Sequence, residues 1–191
     1  MPKDDDRRSY PHLPELVSEG DIRRRVGELA AAIARDHAGG EPLLIVAVMK
    51  GALVFLADLI RRLPMPLEFE LVNARSYRGA HRQPQVEILD DVGSLQIAGR
   101  HVLLLDCVLD SGHTLTALRE EITARGPASL KTCVLLSKAR PREVAIEPDY
   151  VGLAIPDVFV VGYGLDHGNR WRHLPYVAEL PKARTSGEDG R

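Results

Sequence analysis

Residues Leu43–Val48 read LLIVAV, an unbroken aliphatic run of strand length. A strand facing water on one side alternates apolar with polar residues, so an unbroken run marks a strand covered on both faces. Val102–Leu105 is of the same kind, Leu130–Leu136 reads as another buried strand, and further strands are expected over Leu67–Val72, Val86–Leu89, Tyr150–Leu153 and Phe159–Tyr163. Between them the apolar period lengthens to that of a helix. Ser18 with Asp21 caps a stripe of Ile22, Val26, Leu29, Ala30 and Ile33, closed by Gly39-Gly40. A second stripe, from Leu53 to Leu63, stops at Pro64, and a third, Thr114–Arg125, stops at Gly126-Pro127. Alternating strand and helix predict an α/β fold: a parallel sheet with helices on both faces.

At 191 residues the chain has room for one such domain. Residues 11–181 are expected to form it, between a charged, flexible N-terminus (1–10) and a flexible tail (182–191). The formal net charge of -2 provides no global field to recruit nucleic acid or an acidic membrane. An anionic substrate must then be held by local features such as backbone amides, a helix end or a metal ion. Cys107 and Cys133 lie in no CxxC or Cys/His spacing, which argues against a disulfide scaffold or a structural zinc site. No secretory h-region or bilayer-length apolar run is seen, so a cytoplasmic setting is expected.

The segment VLLLDCVLDSGHTLTAL, residues 102–118, carries the most chemistry. A buried strand running to Leu105 places Asp106 at its carboxyl end, where ligands sit in open α/β sheets. Asp110-Ser111-Gly112-His113-Thr114 then forms a turn that opens a helix. Small residues let backbone N–H groups converge there, and Ser111 and Thr114 add hydroxyls, so phosphate is the natural guest. The plainer alternative is that Asp110 or Ser111 merely caps the helix, a contribution of about 1 kcal/mol. Neither a Walker A loop nor a three-glycine dinucleotide fingerprint is present.

This segment resembles the phosphoribosyl pyrophosphate signature of type I phosphoribosyltransferases: a hydrophobic strand, two acids, two apolar residues, then D-[ST]-G-x-T. The resemblance implies a single-domain open twisted parallel sheet flanked by helices, with a small hood built from N- and C-terminal segments. It also implies that Asp110, Ser111, Gly112, His113 and Thr114 cradle the 5′-phosphate. Asp106 would bind ribose hydroxyls and help hold hydrated magnesium, and Asp110 would be the general base near N7 of a purine. The chain departs from the pattern at the second acid, where it has Cys107. That removes one oxygen from the ribose and metal shell, and the expected role of Cys107 is that of a small buried hydrophobe.

Residues 135–175, LLSKARPREVAIEPDYVGLAIPDVFVVGYGLDHGNRWRHLP, are similar to the C-terminal half of hypoxanthine-guanine phosphoribosyltransferases. By that resemblance Lys138 donates to O6 of a 6-oxopurine, where adenine would offer no acceptor. Phe159 stacks on the base, with Val108 or Leu109 closing its other face. The backbones of Val160 and Asp166 accept from purine N–H groups, Asp166 contacts a second magnesium, and Arg172 contacts pyrophosphate. Taken singly, Lys138 could be a solvated strand-end lysine and Phe159 a core residue.

Met49-Lys50-Gly51 matches the family's short pyrophosphate loop, in which the peptide before the lysine is commonly cis. Ser76-Tyr77 corresponds to a lid within a mobile loop at 76–85; the plainer reading there is a solvated hairpin. The family reading carries Mg2+, phosphoribosyl pyrophosphate and a 6-oxopurine as ligands, and a homodimer or homotetramer. Two other readings stay open: a non-catalytic nucleotide sensor of the same fold, and a xanthine-preferring enzyme.

Overall fold

In the computed structural model, residues 13–38, 41–78, 84–88, 92 and 95–181 are described, the side chains of 75–78 and 84–85 excepted. The expected termini, and residues 79–83 of the expected lid, lie outside this set.

Six strands form the main sheet: β2 (Leu43–Met49), β3 (Leu67–Arg78), β4 (Pro84–Ile88), β5 (His101–Leu109), β6 (Ser129–Lys138) and β7 (Tyr150–Ile155). Their order is β4-β3-β2-β5-β6-β7; all neighbours are parallel except β3 and β4. Among the described residues three helices flank it: α1 (Glu19–Asp36), α2 (Leu53–Ile60) and α3 (His113–Thr123). Strand alternation splits the aliphatic runs between two cores. Leu43, Ile45, Ala47, Leu103, Leu105 and Cys107 pack with α1 and α2. Leu44, Val46, Val48, Val102 and Leu104 pack with Leu115, Leu118 and Ile122 of α3. Both faces are therefore dry, as the unbroken runs require. Phe55 is fully buried, and truncating such a side chain costs about 3–5 kcal/mol.

The Ser18 hydroxyl accepts from the Asp21 N–H at 3.0 Å, capping α1 as the sequence predicts. At its other end α1 is tied to the sheet: Asp36 Oδ2 accepts from Lys131 Nζ at 2.9 Å and from Tyr150 Oη at 2.7 Å.

A second, three-stranded antiparallel sheet joins both ends of the domain: β1 (Glu15–Val17), β9 (Val177–Glu179) and β8 (Val160–Val161), in the order β1-β9-β8. It is the expected hood, closed over Leu13, Val161, Trp171, Ala178 and Leu180. Strands β1 and β9 were not foreseen, because three residues are too few to display a period.

Other boundaries differ from the sequence reading. Strand β5 does not stop at Leu105; pairing with β6 carries it to Leu109, so Asp106 lies inside the strand. Ser76 and Tyr77 are not in a loop: they belong to β3 and pair with Val86 and Gln85 of β4. Backbone pairing sustains a strand through polar residues that hydropathy alone reads as irregular. Among the described residues, no helix is long and apolar enough to cross a membrane.

Candidate active site

The chain leaves β2 toward α2 on one face of the sheet and leaves the neighbouring β5 toward α3 on the other. This divergence opens a crevice at the carboxyl edge, the usual ligand position in such sheets. A cavity of about 330 Å³ lies there, lined by Met49 ending β2, Lys50 and Gly51 after it, Val108 and Asp110 at the end of β5, and Lys138 ending β6. Phe159, Val160, Leu165, Asp166 and Arg172 form its hood side. A smaller concavity beside it is lined by Asp106, Ser111, Gly112 and Thr114 and shares Val108 and Asp110 with the first. The expected phosphate turn and base-binding residues thus meet at Asp110.

The phosphate turn is held open by its glycine. Gly112 caps α3 at φ 92°, and no side chain caps the helix, so the plainer alternative, a cap by Asp110 or Ser111, does not hold. A Cβ at Gly112 would come within 2.8 Å of Ile146 Cγ2 and 2.9 Å of Val144 Cγ2. The first-turn N–H groups lack a side-chain cap, which is the arrangement anions exploit. His113 does not turn its side chain into the concavity; its Nε2 lies 3.0 Å from Glu143 Oε2.

Asp106 accepts the Cys107 N–H at 2.7 Å. Burial pushes its carboxyl up to about 7, against the backbone N–H groups of Cys107 and Val108, which favour the anion. Cys107 points the other way, fully buried in the core beneath α2, and burial raises its thiol well above the ordinary range. It is the small hydrophobe the sequence suggests. Of the two residues proposed to close the base pocket, Val108 lines the larger cavity. Leu109 is buried against the α3 side and borders the phosphate concavity instead.

Both carboxylate oxygens of Asp110 accept from a cation. Lys138 Nζ donates to its Oδ2 at 2.6 Å and Arg140 Nη1 to its Oδ1 at 2.9 Å. Lys138 is therefore not a solvated strand-end lysine; its side chain is 10% exposed. Phe159 is not a core residue either: it is 42% exposed and meets the His167 ring edge-on at 5.4 Å. Arg172 Nη2 lies 2.5 Å from Asp166 Oδ1, and its Nη1 donates to the Gly164 carbonyl at 2.6 Å. Asp166 Oδ2 also accepts the Asn169 N–H at 2.8 Å.

The loop after β2 has a cis Met49–Lys50 peptide. It abuts the hood so closely that a Cβ at Gly164, φ 93°, would lie 2.6 Å from the Gly51 carbonyl oxygen. Sequence reasoning missed Leu165 in the cavity wall and Arg140 on Asp110. Leu165 lies in the GYGLD segment without a polar group to single it out, and Arg140 reaches the site because a tight turn folds back after β6. Ser76 and Tyr77 have no described side chains.

A crevice at the divergence of two parallel strands, with the expected phosphate turn on one and the expected base-binding residues beside it, is the arrangement of a nucleotide-forming or nucleotide-binding α/β protein. Residues 14–167 match the phosphoribosyl transferase domain family, and the chain belongs to that family. It is 37% identical over 172 residues to the hypoxanthine phosphoribosyltransferase of Haemophilus influenzae, covering 88% of this chain and 96% of that one. With the hypoxanthine-guanine phosphoribosyltransferase of Aquifex aeolicus it shares 40% over 166 residues, 86% of this chain and 93% of that one. Among solved structures, a mutant hypoxanthine phosphoribosyltransferase of Trypanosoma cruzi in complex with its product IMP superposes with a TM-score of 0.85. The two are 34% identical, with 96% of this chain and all of that one covered.

Proposed function

We propose that the chain is a purine-salvage enzyme that transfers the 5-phosphoribosyl group of phosphoribosyl pyrophosphate to N9 of hypoxanthine or guanine, giving IMP or GMP and pyrophosphate. The observation that carries this reading is the meeting of phosphate turn and base clamp at Asp110, with Lys138 alongside.

The 5′-phosphate takes the uncapped N–H groups at Ser111–Thr114, with His113 contributing its backbone rather than its ring. Ribose hydroxyls donate to Asp106. The pyrophosphate lies along Lys50-Gly51 and reaches Arg172. The purine enters between Phe159 and Val108, its exocyclic or ring N–H groups meeting the Val160 and Asp166 backbones, and its O6 accepts from Lys138. Lys138 has three donors, so a 6-oxopurine can draw it toward O6 and loosen its hold on Asp110 Oδ2, leaving that oxygen a lone pair to take the base proton as N9 attacks C1′. Adenine, with no acceptor at that position, leaves Lys138 on Asp110. Positioning and electrostatics then provide most of the acceleration.

Among the described residues no group of three or more His, Cys, Asp or Glu side chains forms a metal cage. Magnesium is commonly held by one or two carboxylates together with substrate phosphates, and Asp106 and Asp166 each offer one, so the residues fit a metal carried in with the pyrophosphoryl substrate. When bound, it would neutralise charge on the departing pyrophosphate. Ser76 and Tyr77, at the end of the β3–β4 ribbon, act as the lid that excludes water from the ribosyl centre. A cytoplasmic homodimer or homotetramer completes the reading. Leu53, Phe69 and Leu71, exposed at 46%, 47% and 38%, offer an apolar surface near α2 and β3 for a second copy.

The test is nucleotide formation from phosphoribosyl pyrophosphate and magnesium with hypoxanthine, guanine, xanthine or adenine. IMP and GMP formation, with adenine inert, supports the reading. Dominant xanthine turnover would move the assignment to that base, and nucleotide binding without any pyrophosphate release would mark a sensor.

A further inference from the structure

Arg140 is absent from the walls of the cavity, yet it holds the residue on which the chemistry turns. Its backbone N–H donates to the Lys138 carbonyl at 3.0 Å, closing a tight turn after β6, while Ala139 N–H bonds to Ile155 at 2.7 Å. The side chain, 29% exposed, reaches Asp110 Oδ1 at 2.9 Å through Nη1. Two further acids orient the guanidinium: Glu143 Oε1 at 3.6 Å from Nη2 and Asp157 Oδ2 at 3.8 Å from Nε. Glu143 in turn meets His113, the first residue of α3. The network therefore spans from the base clamp to the phosphate turn.

We propose that Arg140 is a positioning residue for phosphoribosyl transfer, fixing the plane of the Asp110 carboxylate when Lys138 turns to the purine. The inference rests on Asp110 as proton acceptor and adds a residue to that reading. A carboxylate is free to rotate about its Cβ–Cγ bond, so one oxygen must be anchored if the other is to point at a particular proton. Lys138 holds Oδ2 through a rotatable ammonium whose donors O6 shares when the base arrives. Arg140 holds Oδ1 and has no reason to leave. A planar guanidinium with several donors in a fixed fork can keep Asp110, Glu143 and Asp157 in place together, which a rotating ammonium cannot do as well.

The experiment is a double-mutant cycle in the intact protein, using hypoxanthine and magnesium phosphoribosyl pyrophosphate, with Arg140→Met, Asp110→Asn and the pair. A misdirected base should lower kcat of Arg140→Met by about 10- to 100-fold. Both KM values should stay within about threefold, the split expected of an interaction needed in the transition state rather than for binding. Arg140→Lys should recover part of the rate, and the double variant should be no slower than Asp110→Asn alone. Unchanged kcat in Arg140→Met, or losses that multiply in the pair, would overturn the assignment. Full kcat in Asp110→Asn would instead remove the proton-acceptor reading on which it rests. Should Arg140→Met fail to fold, Arg140→Lys against Asp110→Asn gives the same cycle with smaller steps.

Discussion

Lys138 Nζ lies 2.6 Å from Asp110 Oδ2 because β5 and β6 end in step: Leu109 pairs with Ser137, so the residues that follow emerge side by side. A strand register thus sets the distance between the proposed base and the proposed donor to O6. An exposed pair this close would contribute little, but Lys138 is largely buried and its charge needs a partner.

Replacing Lys138 by Met should therefore weaken the preference for 6-oxopurines. A hydrogen bond to a charged donor is worth about 1.5–3 kcal/mol. The corresponding loss in kcat/KM for hypoxanthine is roughly 10- to 150-fold, with no matching loss for adenine. Parallel assays with the two bases measure it.

The base platform is tested by Phe159→Ala. Stacking on an aromatic ring contributes about 1–3 kcal/mol per base, so the KM for hypoxanthine should rise by about tenfold or more. The KM for phosphoribosyl pyrophosphate should stay near its parent value. Steady-state kinetics with each substrate varied in turn separates the two.

Gly112→Ala should damage the phosphate end. The new Cβ would meet Ile146 and Val144 at under 3 Å in a left-handed backbone conformation. A loss of about 1–3 kcal/mol in stability is expected, together with a raised KM for phosphoribosyl pyrophosphate. Thermal melts and kinetics report on the two effects.

Asp36 supplies a pH test remote from the site. Hydrogen bonds from Lys131 and Tyr150 hold its carboxyl below the ordinary value of 3.8. A depressed folded-state value favours the native protein above the unfolded value, and this contribution is lost as pH falls through the folded one. Asp36→Asn should accordingly lower the melting temperature at pH 7, with the difference shrinking below about pH 4. A difference constant with pH would show that the tie is not electrostatic.

The layered core was legible because period is a physical consequence of burial: Leu43–Val48 faces two dry cores and is aliphatic throughout. Lys50, Asp106, Asp110, Lys138, Phe159 and Arg172 were legible through motifs. The ion pairs on Asp110 were not, since Arg140 depends on a turn whose direction no spacing encodes. The hood strands escaped for a related reason: β1 and β9 are held by pairing between distant residues, Val17 with Val177, rather than by local preference. The extent of β5 was likewise decided by its neighbour.

The most direct measurement of the central claim is kcat of Asp110→Asn at saturating hypoxanthine and phosphoribosyl pyrophosphate. The amide keeps the shape of the side chain but cannot accept the proton, so turnover should drop by about 10²–10⁴ with both substrates still binding. Turnover equal to that of the parent would contradict the account.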